Sequence, residues 1–132
     1  MVLLAATLAP AAAAAAPSDD RLVASFLKSV KNHSLQASEQ MLSPQLLLEH
    51  AQGGTETEVM RGAYIIHLAV EDAKAGTLKR FTCAPAAGEK TECVLYRRSP
   101  IDRQLYEVSQ AFFVRGGKIY KIILGSPELS RG

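Results

Sequence analysis

The side chains able to move a proton are few in this chain. Glu107 and Ser109 are the polar members of one face of the run RQLYEVSQAFFVR. A carboxylate set in an apolar wall is a candidate base for abstracting a proton from a carbon acid. The alternative for Glu107 is a rim position, or a salt bridge to Arg103 or Lys121. His67 shares a helical face with Tyr64 and Met60, and its alternative is a satisfied histidine in a core helix. Tyr64, His67, Glu107 and Ser109 are therefore the candidates for lining a pocket, and none is assigned a catalytic role. His33, His50 and His67 recur at a spacing of 17, which puts no two on one helix face at metal-ligand distance, so neither metal nor cofactor is expected. The chain contains no Gly-rich phosphate loop, no Gly-x-Ser-x-Gly elbow and no Cys-x-x-Cys pair.

Cys83 and Cys93 bracket CAPAAGEKTEC, where Pro85 and Gly88 mark a turn between two strand-like runs. A turn centred near Gly88 sets the two cysteines opposite each other on antiparallel strands. A disulfide there closes a loop of about eleven residues, worth about 2–3 kcal/mol on the chain-entropy model. The competing readings are a zinc half-site or two free thiols. The spacing does not match paired zinc ligands, and no histidine lies nearby in sequence.

A disulfide implies an oxidising compartment, and the N-terminus agrees. Residues 1–17, MVLLAATLAPAAAAAAP, join an apolar stretch to small residues, the pattern of a secretory signal peptide. Residues 1–16 are read as that leader, lacking a basic n-region, and 17–132 as a single α+β domain. The expected location is periplasmic or secreted. The alternatives are an alanine-rich helical arm or an uncleaved short anchor. No apolar run after the leader is long enough to span a bilayer. Fifteen Lys and Arg against 13 Asp and Glu give a net charge of +2, too weak a bias for a nucleic-acid binder.

The elements that must position these residues follow from periodicity. SDDRLVASFLKSVK combines acidic N-terminal residues, a stripe of Leu22, Val23, Phe26, Leu27 and Val30, and lysines at the end: an amphipathic helix. Residues 34–52 read as two short helices, the second opened by Ser43-Pro44. Thr55 and Glu58 form a capping box for a further helix ending before Gly76. From Thr77 the period becomes two. TLKRFTC and ECVLYRR predict one hairpin, and RQLYEVSQAFFVR and KIYKIIL a second around Gly116-Gly117. Helices followed by an antiparallel meander predict α+β, with N-terminal helices packed on a curved sheet.

With Arg115 opposite Lys118, one face of the second hairpin carries Leu105, Glu107, Ser109, Ala111, Phe113, Tyr120, Ile122 and Leu124. The other carries Tyr106, Val108, Gln110, Phe112, Val114, Ile119, Lys121 and Ile123. Six of eight positions on each face are apolar, whereas a sheet with one solvated face alternates. Helices cover one face, and a second copy of the chain, giving a homodimer, is the expected cover for the other; tighter wrapping within one chain is the alternative. Lys79, Arg80, Arg97, Arg98 and Arg103 cluster by the first hairpin, with Lys79 expected opposite Arg97. Such a patch suits an acidic partner or an anionic envelope polymer, or is a solvated strand end.

A helix, two short helices, a further helix and then a meander ending in FFVRGGKIYKII resemble the nuclear transport factor 2-like superfamily, the cone used by ketosteroid isomerases and polyketide cyclases. The likeness runs from about Asp19 to Leu124 and implies a pocket between sheet and helices. It does not imply a reaction, because one fold hosts many. The relatives' carboxylate base with a Tyr–Asp oxyanion hole has no matching trio here. The expectation is an exported non-enzymatic domain that binds a small apolar ligand or an envelope protein. An isomerase or cyclase using Glu107 or His67 is the alternative.

Overall fold

A computed structural model describes residues 19–131, and the expected leader lies outside them. The chain forms α1 (Asp19–Lys31), α2 (Leu35–Gln40), β1 (Leu42–His50), β2 (Thr57–Met60) and α3 (Arg61–Ala75). Strands β3 (Thr77–Ala86), β4 (Lys90–Arg98), β5 (Leu105–Arg115), β6 (Lys118–Leu124) and β7 (Glu128–Leu129) follow. The sheet runs β2-β1-β6-β5-β4-β3, with β7 added to β5.

Helix α1 forms where its stripe requires. Asp19 and Asp20 sit in the first turn, Lys28 and Lys31 in the last, and Val23, Phe26, Leu27 and Val30 are buried. Its buried Ser29 meets Ser38 of α2, hydroxyl to hydroxyl, at 2.6 Å.

The segment after α2 differs from expectation. Residues 42–50 are a strand, not a helix, because both neighbours supply backbone partners: β2 pairs antiparallel and β6 pairs parallel. Leu42 and Leu46 lose all their exposure in this arrangement, and that burial outweighs the helix-start signal of Ser43-Pro44. Pro44 falls within the register irregularity between Leu42 and Leu47, the kind of place where a residue without an N–H is tolerated. The parallel pairing also makes the sheet mixed rather than wholly antiparallel. Thr55 and Glu58 form no capping box: Thr57–Met60 pair with β1, Val59 lies opposite Leu46, and α3 begins at Arg61.

Gly76 ends α3 at φ +106°, and a Cβ there would stand 1.7 Å from the carbonyl oxygen of Arg98. The chain can turn from α3 into β3 at that point only with glycine.

In the first hairpin Cys83 faces Cys93, as expected, and the two form a disulfide. Lys79 does not face Arg97. A register shift between Leu78 and Arg80 places Leu78 opposite Arg97 and Arg80 opposite Tyr96, which relieves the like-charge pair. In the second hairpin Arg115 faces Lys118 as expected, but the register shifts between Phe113 and Val114. Phe112 then pairs with Ile122 and Phe113 with Lys121. The bulge swaps the faces of the last strand: Ile122 and Leu124 join the helix side, and Lys121 and Ile123 go to the outside.

The core fills the space between helices and sheet. Phe26 and Phe112 meet at 6.1 Å between ring centroids. Leu42, Leu46, Ile119 and Ile122 have no exposed surface, and Leu27 and Leu95 each retain 2%.

Candidate functional site

Strand alternation sends every second residue of β3, β4 and β5 away from this core. Register puts Thr82, Val94 and Ser109 in one outer row and Ala84, Glu92, Ala111 and Ile123 in the next. The side chains in these rows are mostly small, and they leave a trough of about 580 Å³ that Ala51 and Gly125 extend at one end. Lys90 and Glu92 lie on the trough, 3.4 Å apart.

An aromatic ridge stands beside this hollow. Phe113 and Tyr120 meet edge to face at 6.2 Å. The Arg115 guanidinium lies 4.2 Å over the Tyr120 ring, and Lys121 Nζ lies 5.3 Å from the centre of Phe113. Lys121 is anchored by Glu56 at 2.5 Å and Glu49 at 3.4 Å. These carboxylates, Glu56 foremost, raise the pKa of its ammonium.

The four expected pocket residues fall into two pairs. Ser109 is exposed and lines the trough, and Glu107, half-buried, lies two residues away on the same outer face. Glu107 is opposite Tyr96 on one side and Glu128 on the other. Its expected salt bridge to Arg103 or Lys121 is not formed among the described residues.

Tyr64 and His67 lie together on α3, as expected, with rings 6.2 Å apart, but on the helix side of the sheet. His67 is exposed, not set in the core. Tyr64 is buried, and desolvation pushes its phenol well above the usual range, offset in small part by the charge of Arg97. The sheet therefore stands between the hydroxyl and imidazole of one pair and the carboxylate and hydroxyl of the other.

Arg97 holds the edge of the helix side. Its Nη1 donates to Asp72 Oδ1 at 3.1 Å and to the Gly76 carbonyl at 2.8 Å. Asp72 also lies 3.2 Å from His33 Nδ1. His50, expected near a helix end, closes β1 instead. Among the described residues no three His, Cys, Asp or Glu side chains gather to hold a metal ion, and no helix is long and apolar enough to cross a membrane.

Helices laid on one face of a curved mixed sheet, with hairpins in this order, also occur in solved structures of very different sequence. A candidate polyketide cyclase from Pseudomonas putida superposes with a TM-score of 0.63 at 12% identity, covering 88% of this chain and 94% of that one. A nuclear transport factor 2-like protein of unknown function from Cytophaga hutchinsonii gives 0.58 at 13%, covering 86% and 94%. This chain has the nuclear transport factor 2-like fold. A ketosteroid isomerase-like protein from Catenulispora acidiphila, solved in complex with trimethylamine, shares it with a TM-score of 0.60 at 14% identity, over 87% of this chain and 88% of that one. No family model and no curated protein matches the sequence. At these identities the nuclear transport factor 2-like fold is what is shared; the chemistry of a member resides in its own side chains.

Sequence reasoning missed the trough. The signal that marks it is the recurrence of small residues two apart, Thr82 and Ala84 on one strand and Ser109 and Ala111 on another. It becomes visible only once β3, β4 and β5 are set in register.

Proposed function

We propose that the chain is an exported, non-catalytic binding domain that works through the outer face of its sheet. Two copies pair there and close the trough over a small, largely apolar molecule. The observation that carries this reading is the inversion of filled and open space. The helix side is packed by Phe26, Phe112, Ile119 and Ile122, while the trough opens on the opposite face. Its volume of about 580 Å³ lies within the range of small-molecule sites, roughly 300–1,000 Å³.

A second copy suits this face because ridge and hollow lie side by side on it. A two-fold axis between them brings the Phe113–Tyr120 ridge of each chain over the trough of the other, an isologous contact. The Cys83–Cys93 disulfide supports export. Trimethylamine, held by the Catenulispora protein of the same fold, is of a size that the trough accommodates. Separation of Tyr64 and His67 from Glu107 and Ser109 weighs against an acid–base mechanism that uses both pairs.

Native mass spectrometry of protein made through an oxidising compartment tests the proposal. The expected spectrum is a dimer carrying a mass beyond its polypeptides. Ala111→Trp, which fills the trough, is expected to abolish the added mass while the chain stays folded and oxidised. A wild-type monomer without added mass overturns the reading.

A further inference from the structure

The end of the molecule away from the hairpin turns carries a feature that neither trough nor core explains. The β4–β5 loop, residues 99–104, projects there with Ile101 at 86% exposure, the largest among the exposed apolar side chains. The loop is held in shape. Ser99 N–H donates to the Gln104 carbonyl, Arg103 N–H to the Ser99 carbonyl, and Ile101 N–H to Ser99 Oγ. The Tyr106 hydroxyl donates to Asp102 Oδ2 at 2.5 Å, and Gln104 N–H to Asp102 Oδ1 at 2.9 Å. Ile101 is thus presented on a stiff support.

Cations lie beside its base. Arg98, the last residue of β4, donates to the Arg103 carbonyl at 3.0 Å, which keeps its guanidinium at the loop. Thr77 at the start of β3 pairs with Arg98, so Lys79 and Arg80 follow on the adjoining strand, with Arg80 stacked 3.7 Å over Tyr96. Among the described residues none of Lys79, Arg80, Arg98 and Arg103 enters a salt bridge. Asp72 at this end is paired with Arg97, and Asp102 keeps its negative charge on the loop, turned to the Tyr106 hydroxyl and the Gln104 N–H. Glu107 and Glu128 share a cross-strand row with Arg80 and Tyr96, two residues in from the loop, so the cations nearest the tip are Arg98 and Arg103.

We infer that this end docks on an anionic lipid surface, with Ile101 entering the headgroup boundary and Arg98, Arg103, Lys79 and Arg80 meeting phosphates around it. An apolar tip flanked by cations matches a bilayer, which offers hydrocarbon below a layer of negative charge. An acidic polymer would engage the cations but offers no hydrocarbon for an isoleucine standing clear of the fold. This docking is peripheral and reversible: one inserted side chain and four cations fall far short of a spanning segment.

Sedimentation with vesicles tests it, using the disulfide-bonded domain and comparing phosphatidylglycerol–phosphatidylcholine mixtures with phosphatidylcholine alone at low and at physiological salt. Binding to the anionic vesicles alone is expected. Arg98→Gln and Arg103→Gln should each weaken it about fivefold, in line with the contribution of one cation near a charged surface. Ile101→Ser should weaken it roughly tenfold while leaving retention on soluble polyphosphate unchanged. All three positions are exposed, and an unchanged thermal midpoint in each variant separates lost docking from lost folding. Absence of binding to anionic vesicles overturns the inference. So does binding that Ile101→Ser leaves intact, which would assign the cations to an acidic polymer instead.

Discussion

Tyr64 shows how burial turns one hydroxyl into a pH-dependent contribution. Its phenol is desolvated on the helix side of the sheet and held protonated beyond the ordinary range. An unfolded tyrosine ionises near pH 10, so below that pH both states keep the proton and stability is unaffected. Above it the unfolded chain releases its proton first, and stability falls by up to about 1.4 kcal/mol per pH unit until the folded group also titrates. Tyr64→Phe removes that loss. Urea denaturation at pH 8 and pH 11 should show a smaller alkaline decline in the variant than in wild type. At pH 8 the two should differ by less than about 1 kcal/mol, because the hydroxyl donates to no other described residue. Equal declines would mean that the phenol meets water in the folded state. Tyr106 is the natural control: its pKa is raised too, first by its hydrogen bond to Asp102 and only then by desolvation.

At the scale of elements, Gly76 is where two pieces of structure come closest. The chain passes from α3 to β3 with a positive φ and with the Arg98 carbonyl where a Cβ would be. Gly76→Ala is expected to destabilise the domain by at least about 2 kcal/mol, read as a lowered urea midpoint. Gly88→Ala, at a hairpin tip with nothing within 4 Å of a Cβ, carries only the backbone strain and should cost less. Elements with strong local signals were legible in the sequence: α1 from its stripe and end charges, both hairpins from their turns, and the disulfide from the cysteines flanking one turn. What was not legible depends on distant partners. Nothing local distinguishes the leucines of β1 from a helical run, because the strand exists through its pairing with β2 and β6. The bulges at Lys79 and Phe113 are equally silent, and they decide which residues reach the outer face. For that reason Glu107 and Ser109 were legible as neighbours on one face, while their separation from Tyr64 and His67 was not.

For the whole molecule, the two faces of the sheet make opposite demands on neighbouring residues. Phe112 has no exposed surface and stacks on Phe26, so Phe112→Asp buries an unpaired charge and should abolish the cooperative unfolding transition. Phe113 belongs to the outer ridge, and Phe113→Asp should leave a folded chain that sediments as a monomer. Unfolding of both variants, together with a monomeric wild type, would mean that the sheet is wrapped within one chain. The parallel pairing of β1 with β6 sets a further constraint, on the order of events. Leu42 lies opposite Ile119 and Leu48 opposite Ile122, so the strand needs a partner made more than seventy residues later. While the chain emerges from a ribosome or a translocation pore, α1 and the first hairpin can form from contacts already present. Leu42 and Leu46 stay only partly covered, by β2 and the helices, until the last hairpin arrives. Contacts this distant in sequence slow folding, and the nascent chain therefore keeps one edge of β1 open, and accessible to whatever carries it, until β6 is available.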